Sequence, residues 1–206
     1  MQNGKGVRLP RSERRAQLMT AALEVFVSAG YHAAAMDDIA DRAGVSKPVL
    51  YQHFPGKLEL YLAILEDAAD HVIALATQAL ESTTENRHRV AATIAAFYDY
   101  VASEQGAFRL VFESDLTNEP AVRYQVERVV NESAALIADV ISDDTGLDAE
   151  SATLLAVSLV GMAQVSARYW LHSVTDRGSS MSKDHAARLV SALAWRGISG
   201  NARTDN

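Results

Sequence analysis

Residues 36–58 read Met-Asp-Asp-Ile-Ala-Asp-Arg-Ala-Gly-Val-Ser-Lys-Pro-Val-Leu-Tyr-Gln-His-Phe-Pro-Gly-Lys-Leu, and this stretch decides the fold. A short helix over Met36 to Ala43 buries Ile39 and Ala40, Gly44 breaks it, and Val45-Ser46 leads into a second short helix ending near His53. Pro55-Gly56 then marks a turn. Two short helices across a tight glycine turn have the helix-turn-helix layout. The turn must be tight for Ile39 and Ala40 to reach Leu50, and that contact sets the angle at which the second helix can enter a DNA major groove. Ser46, Lys47, Pro48, Val49, Tyr51, Gln52 and His53 then face outward, a mixture of donors, an aromatic and a small apolar surface that suits DNA better than a core. An ordinary helical hairpin has the same spacing, so the layout by itself leaves both readings open.

Working outward, helical periodicity continues on both sides and no run of alternating β-branched residues interrupts it. Upstream, Ser12 is placed to cap a helix with the stripe Leu18, Met19, Ala22, Val25 and Phe26, ended by Gly30. Downstream, helices are expected over Lys57–Leu80, Arg87–Glu104 and Phe108–Phe112, then from Glu119-Pro120, from an Asp148 cap to Leu171, and from a Ser182 cap to Gly197. The expectation is an all-α chain of about nine helices. A basic arm (1–10) precedes a three-helix helix-turn-helix domain (11–56), a helical body (57–197) follows, and residues 198–206 form a tail. Both end segments read as disordered.

The chain has 206 residues, 49% of them hydrophobic, which suits one or two modest domains with a substantial core. It has no Cys, which excludes a disulfide scaffold, a thiolate zinc site and a cysteine nucleophile. The net charge of −7 argues at first against nucleic acid. Its distribution reverses that argument. Residues 1–60 carry eight basic against six acidic side chains, and the remainder eleven against twenty. Arg8, Arg11, Arg14 and Arg15 lie before or on the first helix, where they can reach phosphate or a minor groove, or stand as a solvated basic tail.

Other chemistries find little support. The N-terminal charges precede no apolar run, and the most apolar stretch, Leu154 to Ala167, is broken by Ser158 and Gln164. It is also shorter than the roughly 18 residues of a membrane span. A soluble, cytoplasmic protein without a membrane partner is expected. Asp67 and His71 sit one turn apart, but no zinc-enzyme spacing, phosphate loop or nucleophile elbow occurs, so neither catalytic residues nor a metal nor a cofactor is expected. A helical protein-interaction module and a metal-dependent helical enzyme stand as the rival classes.

Gly30-Tyr31, Met36-Asp37-Asp38-Ile39-Ala40, Ala43-Gly44-Val45-Ser46, Leu50-Tyr51-Gln52-His53-Phe54 and Lys57-Leu58-Glu59-Leu60 closely resemble the N-terminal domain of TetR-family repressors. The resemblance covers about residues 11–62 and extends to the rest through length and helix count. It implies that Lys47, Pro48, Val49 and Gln52 face base edges, and that Tyr51, His53 and Lys57 hold phosphates, Lys57 beside a helix N-terminus that also favours anions. This chain departs from many relatives in carrying Ala34 and Ala35 where a Thr or Ser hydroxyl is common, and Pro48 where Gly is common. The resemblance further implies that residues 57–197 form a ligand-binding and dimerisation domain. The protein would then be a homodimeric repressor on a palindromic double-stranded operator, released by a small-molecule effector.

For the effector pocket the candidates are Phe97, Tyr98, Phe108, Phe112, Tyr124 and Trp170, with Arg128 and Asn131 as polar handles, although aromatic residues are common in any core. For the dimer interface they are Leu154, Val157, Ser158, Gly161 and Val165 on one helix and Leu189, Val190 and Leu193 on the last. The first of these helices is too apolar for a single buried face, and paired heads on a palindrome need a fixed separation.

Overall fold

The computed structural model describes residues 9–113, 116 and 118–199. Lys5 and Arg8 of the basic arm, and the tail beyond Ser199, lie outside the described residues. Among the described residues there are nine helices and no strand: α1 (Arg11–Ala33), α2 (Met36–Ala43), α3 (Lys47–His53), α4 (Lys57–Glu81), α5 (Asn86–Ser103), α6 (Gln105–Phe112), α7 (Pro120–Thr145), α8 (Ala149–Thr175) and α9 (Lys183–Ser199). The first three form a helix-turn-helix head, and the remainder builds an all-helical body.

α1 buries Leu18, Ala22 and Phe26, spaced four residues apart on one face. Its start differs from expectation: Pro10 is the N-cap, Ser12 lies inside the first turn, and no side chain caps the helix. The Pro10 carbonyl instead accepts the Arg14 N–H at 2.9 Å. Gly30 breaks the helix as expected, at φ 76° and ψ 161°. The chain resumes one further turn there, which folds Tyr31 back onto Phe26 with ring centroids 5.9 Å apart. Gly44 closes α2 at φ 66°, a left-handed conformation that a Cβ would oppose. The Gly44 and Val45 N–H groups satisfy the carbonyls of Asp41 and Ala40.

α4 runs from head to body. Leu60 and Tyr61 are buried near its start, and Leu65, Ala69, Val72 and Ala76 further along. α6 begins at Gln105, three residues earlier than expected, and bridges α1 and α4. Gly106 permits this approach, because a Cβ there would lie 3.2 Å from the Val27 Cγ2 atom. α7 and α8 form a long hairpin across Gly146, with the Asp148 carboxylate capping α8 through the Ser151 N–H at 2.9 Å, as anticipated. Ala134, Ala138, Ala152 and Ala156 let the two helices close on Ile141 in a small separate core. The larger core is continuous from Leu18, Ile39 and Leu50 in the head to Phe108, Val129 and Trp170 in the body. Head and body thus share one packed core.

Candidate nucleic-acid interface and effector cavity

α3 is held by one side chain. Leu50 is fully buried with Ile39, Ala40 and Phe54, whereas Ser46, Lys47, Pro48, Tyr51 and Gln52 are exposed and Val49 and His53 half-buried. A seven-residue helix cannot stabilise itself, so this anchor and the Gly44 turn set its direction. The C-terminal ends of α2 and α3 are both tied to α1. Gln17 Nε2 donates to the Ala43 carbonyl at 2.8 Å, and Arg15 Nη1 to the His53 carbonyl at 3.3 Å. The Arg15 guanidinium also lies 4.2 Å above the Phe54 ring.

These contacts give the exposed face its electrostatics. Arg11, Arg14 and Arg15 cluster near the C-terminal end of α3. Partial burial first, and then these cations, push the His53 imidazole below its ordinary range, which favours the neutral ring. Lys47 is ion-paired with Asp37 from the first turn of α2, and that hydrogen bond raises its pKa. It must exchange this partner before it can serve any other anion. Lys57 is placed differently from a free phosphate ligand. Its Nζ donates to the carbonyls of Tyr31 (2.7 Å), His32 (3.2 Å) and Ala34 (2.8 Å), and it sits 4.6 Å above the Tyr31 ring. All three ammonium donors are thus committed to the corner between α1 and α2. Glu59 folds back over Gly56 at the start of α4, so that helix end already has an acidic group beside it.

The body holds a cavity of about 110 Å³ between α4, α5, α6, α7, α8 and α9. Its walls are mainly aliphatic, with Phe97 and Phe112 contributing aromatic surface. Asn86, Arg89, Asp144 and Trp195 also line it, as do Thr93, Ser133 and Gln164. Of the eight residues expected at a pocket, Phe97 and Phe112 are in this lining. Phe108 shares a second hollow with Phe112, Gln164 and Arg168. Tyr98 and Trp170 stand elsewhere, packed together with centroids 5.8 Å apart. The Tyr98 hydroxyl pairs with Ser166 and the Trp170 indole N–H donates to the Met181 carbonyl. Tyr124 and Asn131 are exposed, and Arg128 is bound to Asp70 on α4 and, at 3.9 Å, to Glu132. Sequence reasoning favoured aromatics and missed the aliphatic wall with Arg89, Thr93 and Ser133, which has the composition of any core.

α8 and α9 present the apolar surface that was expected to be unpartnered. Leu154 is 68% and Leu193 63% exposed, and Val157, Val165 and Leu189 are exposed beside Tyr169. Ser158 is exposed with its hydroxyl turned back to the Leu154 carbonyl, while Gly161 and Val190 are half-buried. A Cβ on Gly161 would meet nothing within 4 Å. α8 is long and apolar enough to cross a membrane by length and composition.

Residues 18–64 match the model for bacterial regulatory proteins of the tetR family. The HTH-type transcriptional activator FasR of Mycolicibacterium smegmatis is 50% identical over 197 residues, 96% of this chain and 88% of its own. The chain belongs to the TetR family. The likeness to FasR runs through the body as well as the head, so this TetR-family regulator is matched beyond its DNA-binding domain. Among solved structures, a TetR-like regulator from Rhodococcus sp. RHA1 superimposes with a TM-score of 0.74 at 27% identity, covering 94% of this chain and all of the other. FadR of Bacillus subtilis in complex with stearoyl-CoA has the same fold, with a TM-score of 0.73 at 16% identity over 87% of this chain and 96% of its own.

Proposed function

We propose that the protein is a homodimeric, effector-responsive transcriptional regulator acting in the cytoplasm on a palindromic DNA operator. The observation that carries this reading is the exposed polar face of α3, fixed by the single buried anchor Leu50. Residues 11–56 act as the reading head and 57–197 as the body. Lys47, Pro48, Val49 and Gln52, with Ser46 at the helix start, meet base edges. Tyr51 and His53 meet phosphates, joined by Arg11 and Arg14. Lys57 serves as the clamp that fixes α4 to the head, because its donors are already engaged.

The exposed apolar strip of α8 and α9, centred on Leu154, Val165, Leu189 and Leu193, supports a twofold four-helix interface. Val157, Ser158, Gly161 and Val190 complete it. Such a dimer sets two α3 helices about 34–36 Å apart, the spacing of successive major grooves. The cavity of the body takes the effector. Its apolar wall suits a long acyl chain, as the stearoyl-CoA held by the B. subtilis structure illustrates. Occupation pushes Phe97 and Phe112, and α6 carries the displacement to Leu23 and Val27 of α1 across Gly106. An effector acts in this scheme only through its different affinity for the two head arrangements.

Repression was the expectation from the head. The relationship to FasR, named an activator, favours activation instead. The same dimer can do either, since the sign depends on where the operator lies relative to the promoter. Binding to the DNA upstream of its own gene, followed by mobility shift at several salt concentrations, tests the reading. A folded, dimeric protein without salt-sensitive, sequence-dependent binding would sink it. In vitro transcription from that DNA then decides the sign.

A further inference from the structure

We infer that Asp37 sets how sharply the protein discriminates between DNA sequences: by holding Lys47, it keeps that cation from phosphates and leaves it to base edges. The inference rests on the DNA-reading role of α3 proposed above and adds a residue from the helix before it.

Lys47 is the first residue of α3, at the end of a recognition helix that comes nearest the bases. Its ammonium stands at the positive end of the helix dipole, with no carboxylate in the first turn of its own helix. The counter-charge comes from α2 instead. Asp37, in the first turn of that helix, forms the ion pair, and Asp41, one turn on, adds its charge to the field at Lys47. Asp38, beside Asp37 in the same turn, makes no ion pair among the described residues. The Lys47 side chain is 57% and that of Asp37 55% exposed, so the pair stands in solvent and can open when DNA arrives. The cations near the other end of α3 are arranged differently. Arg11, Arg14 and Arg15 form no ion pair among the described residues, and phosphate meets them without competition.

Phosphate and base edge make different demands on the Lys47–Asp37 pair. A phosphate that takes the ammonium is brought against the Asp37 carboxylate, a like charge, so the pair must break. A guanine edge offers the neutral acceptors O6 and N7. An ammonium has three donors, so Lys47 can keep Asp37 with one and meet the base with another. DNA of arbitrary sequence offers phosphates at every register and the matching base at few. Asp37 therefore weakens binding to random DNA more than binding to a matched sequence.

The test uses fluorescence anisotropy of the full-length protein with two duplexes, one of random sequence and one selected from a random pool for tight binding to it. Asp37→Asn should tighten binding to the random duplex about threefold, the worth of one exposed ion pair. Its salt slope there should steepen by roughly 0.9, for one further phosphate neutralised. The gain on the selected duplex should be smaller, so the ratio of the two affinities falls. In a Lys47→Gln background the same substitution should give less than half the gain, which separates release of Lys47 from the mere loss of a negative charge. Asp38→Asn removes equal charge from the same helix turn and should also gain less than half as much. Asp37→Ser, with a residue suited to a helix start, should repeat the result of Asp37→Asn. An unchanged affinity for the random duplex, equal gains on the two duplexes, a full gain without Lys47, or an equal gain from Asp38→Asn would overturn the inference. Failure of the selection to enrich any sequence would instead sink the DNA-reading role of α3, and this inference with it.

Discussion

The head and the body of this molecule solve opposite problems with the same material. The head must hold an exposed helix still, and it does so by burying Leu50 against Ile39 and Ala40 while α1 ties down the helix ends through Gln17 and Arg15. The body must keep a space open, and it does so with side chains that elsewhere would close it, such as Val72, Ile94 and Leu159. Rigidity around a surface needs particular residues at particular positions. An apolar hollow needs only that helices be held apart, which many sequences achieve. The two regions should therefore respond differently to similar substitutions.

The largest difference should appear in stability. Leu50→Ala removes the fully buried anchor of a helix too short to persist without it, and should cost about 2–5 kcal/mol with loss of DNA binding. Leu159→Ala in the cavity wall removes the same atoms from a half-buried position and should cost less than half as much. Urea denaturation of the two variants makes the comparison. Equal losses would mean that the cavity wall is as tightly determined as the head, and would break the contrast.

The contrast also explains what could be read in the sequence. Gly44, Ile39 and Leu50 announced the head because a left-handed turn and a short buried stripe restrict the residues that can stand there. The Asp148 cap was legible for the same local reason. Ser12 had the right chemistry two residues too late, since Pro10 already supplied the helix start. In the body, nothing local separates Phe97, which lines the cavity, from Tyr98 next to it, which packs on Trp170. Adjacent residues of a helix point some 100° apart, and only the placement of six helices decides which one meets empty space. Lys57 marks the limit where α4 meets the head. It was expected to hold phosphate, but the carbonyls of Tyr31, His32 and Ala34 that engage it come from a corner made by the Gly30 break, which spacing alone does not locate.

A second, smaller effect separates positioning from direct DNA binding inside the head. Lys57→Gln should weaken binding to all sequences by about tenfold, because the α1–α2 corner loosens, yet leave the salt dependence unaltered. Lys47→Gln should lower the slope of log affinity against log salt by roughly 0.9 for each phosphate no longer neutralised, or change base preference where Lys47 reads a base. Fluorescence anisotropy at several salt concentrations distinguishes them. A shallower slope for Lys57→Gln would show its ammonium leaving Tyr31, His32 and Ala34 for DNA, and the clamp would then be a feature of the free protein alone.

The smallest effect concerns His53, where head chemistry is tuned by α1. Partial burial and then Arg11, Arg15 and Arg14 hold its imidazole below the usual 6.5, so in the free protein it stays neutral to a lower pH than an unfolded histidine would. For folding, the sign is that of a depressed base: stability is full above the unfolded pKa and declines as pH falls through that value towards the folded one. For DNA the sign reverses. Phosphates meeting the three arginines cancel the part of the shift that comes from their repulsion, which raises its pKa in the complex. Binding then takes up a proton, and affinity should rise a few-fold as pH falls from about 7.5 to 5.5, more steeply than in His53→Asn. Parallel pH profiles for the two proteins would place His53 away from phosphate, leaving the arginines of α1 to hold the backbone at that end of the recognition helix.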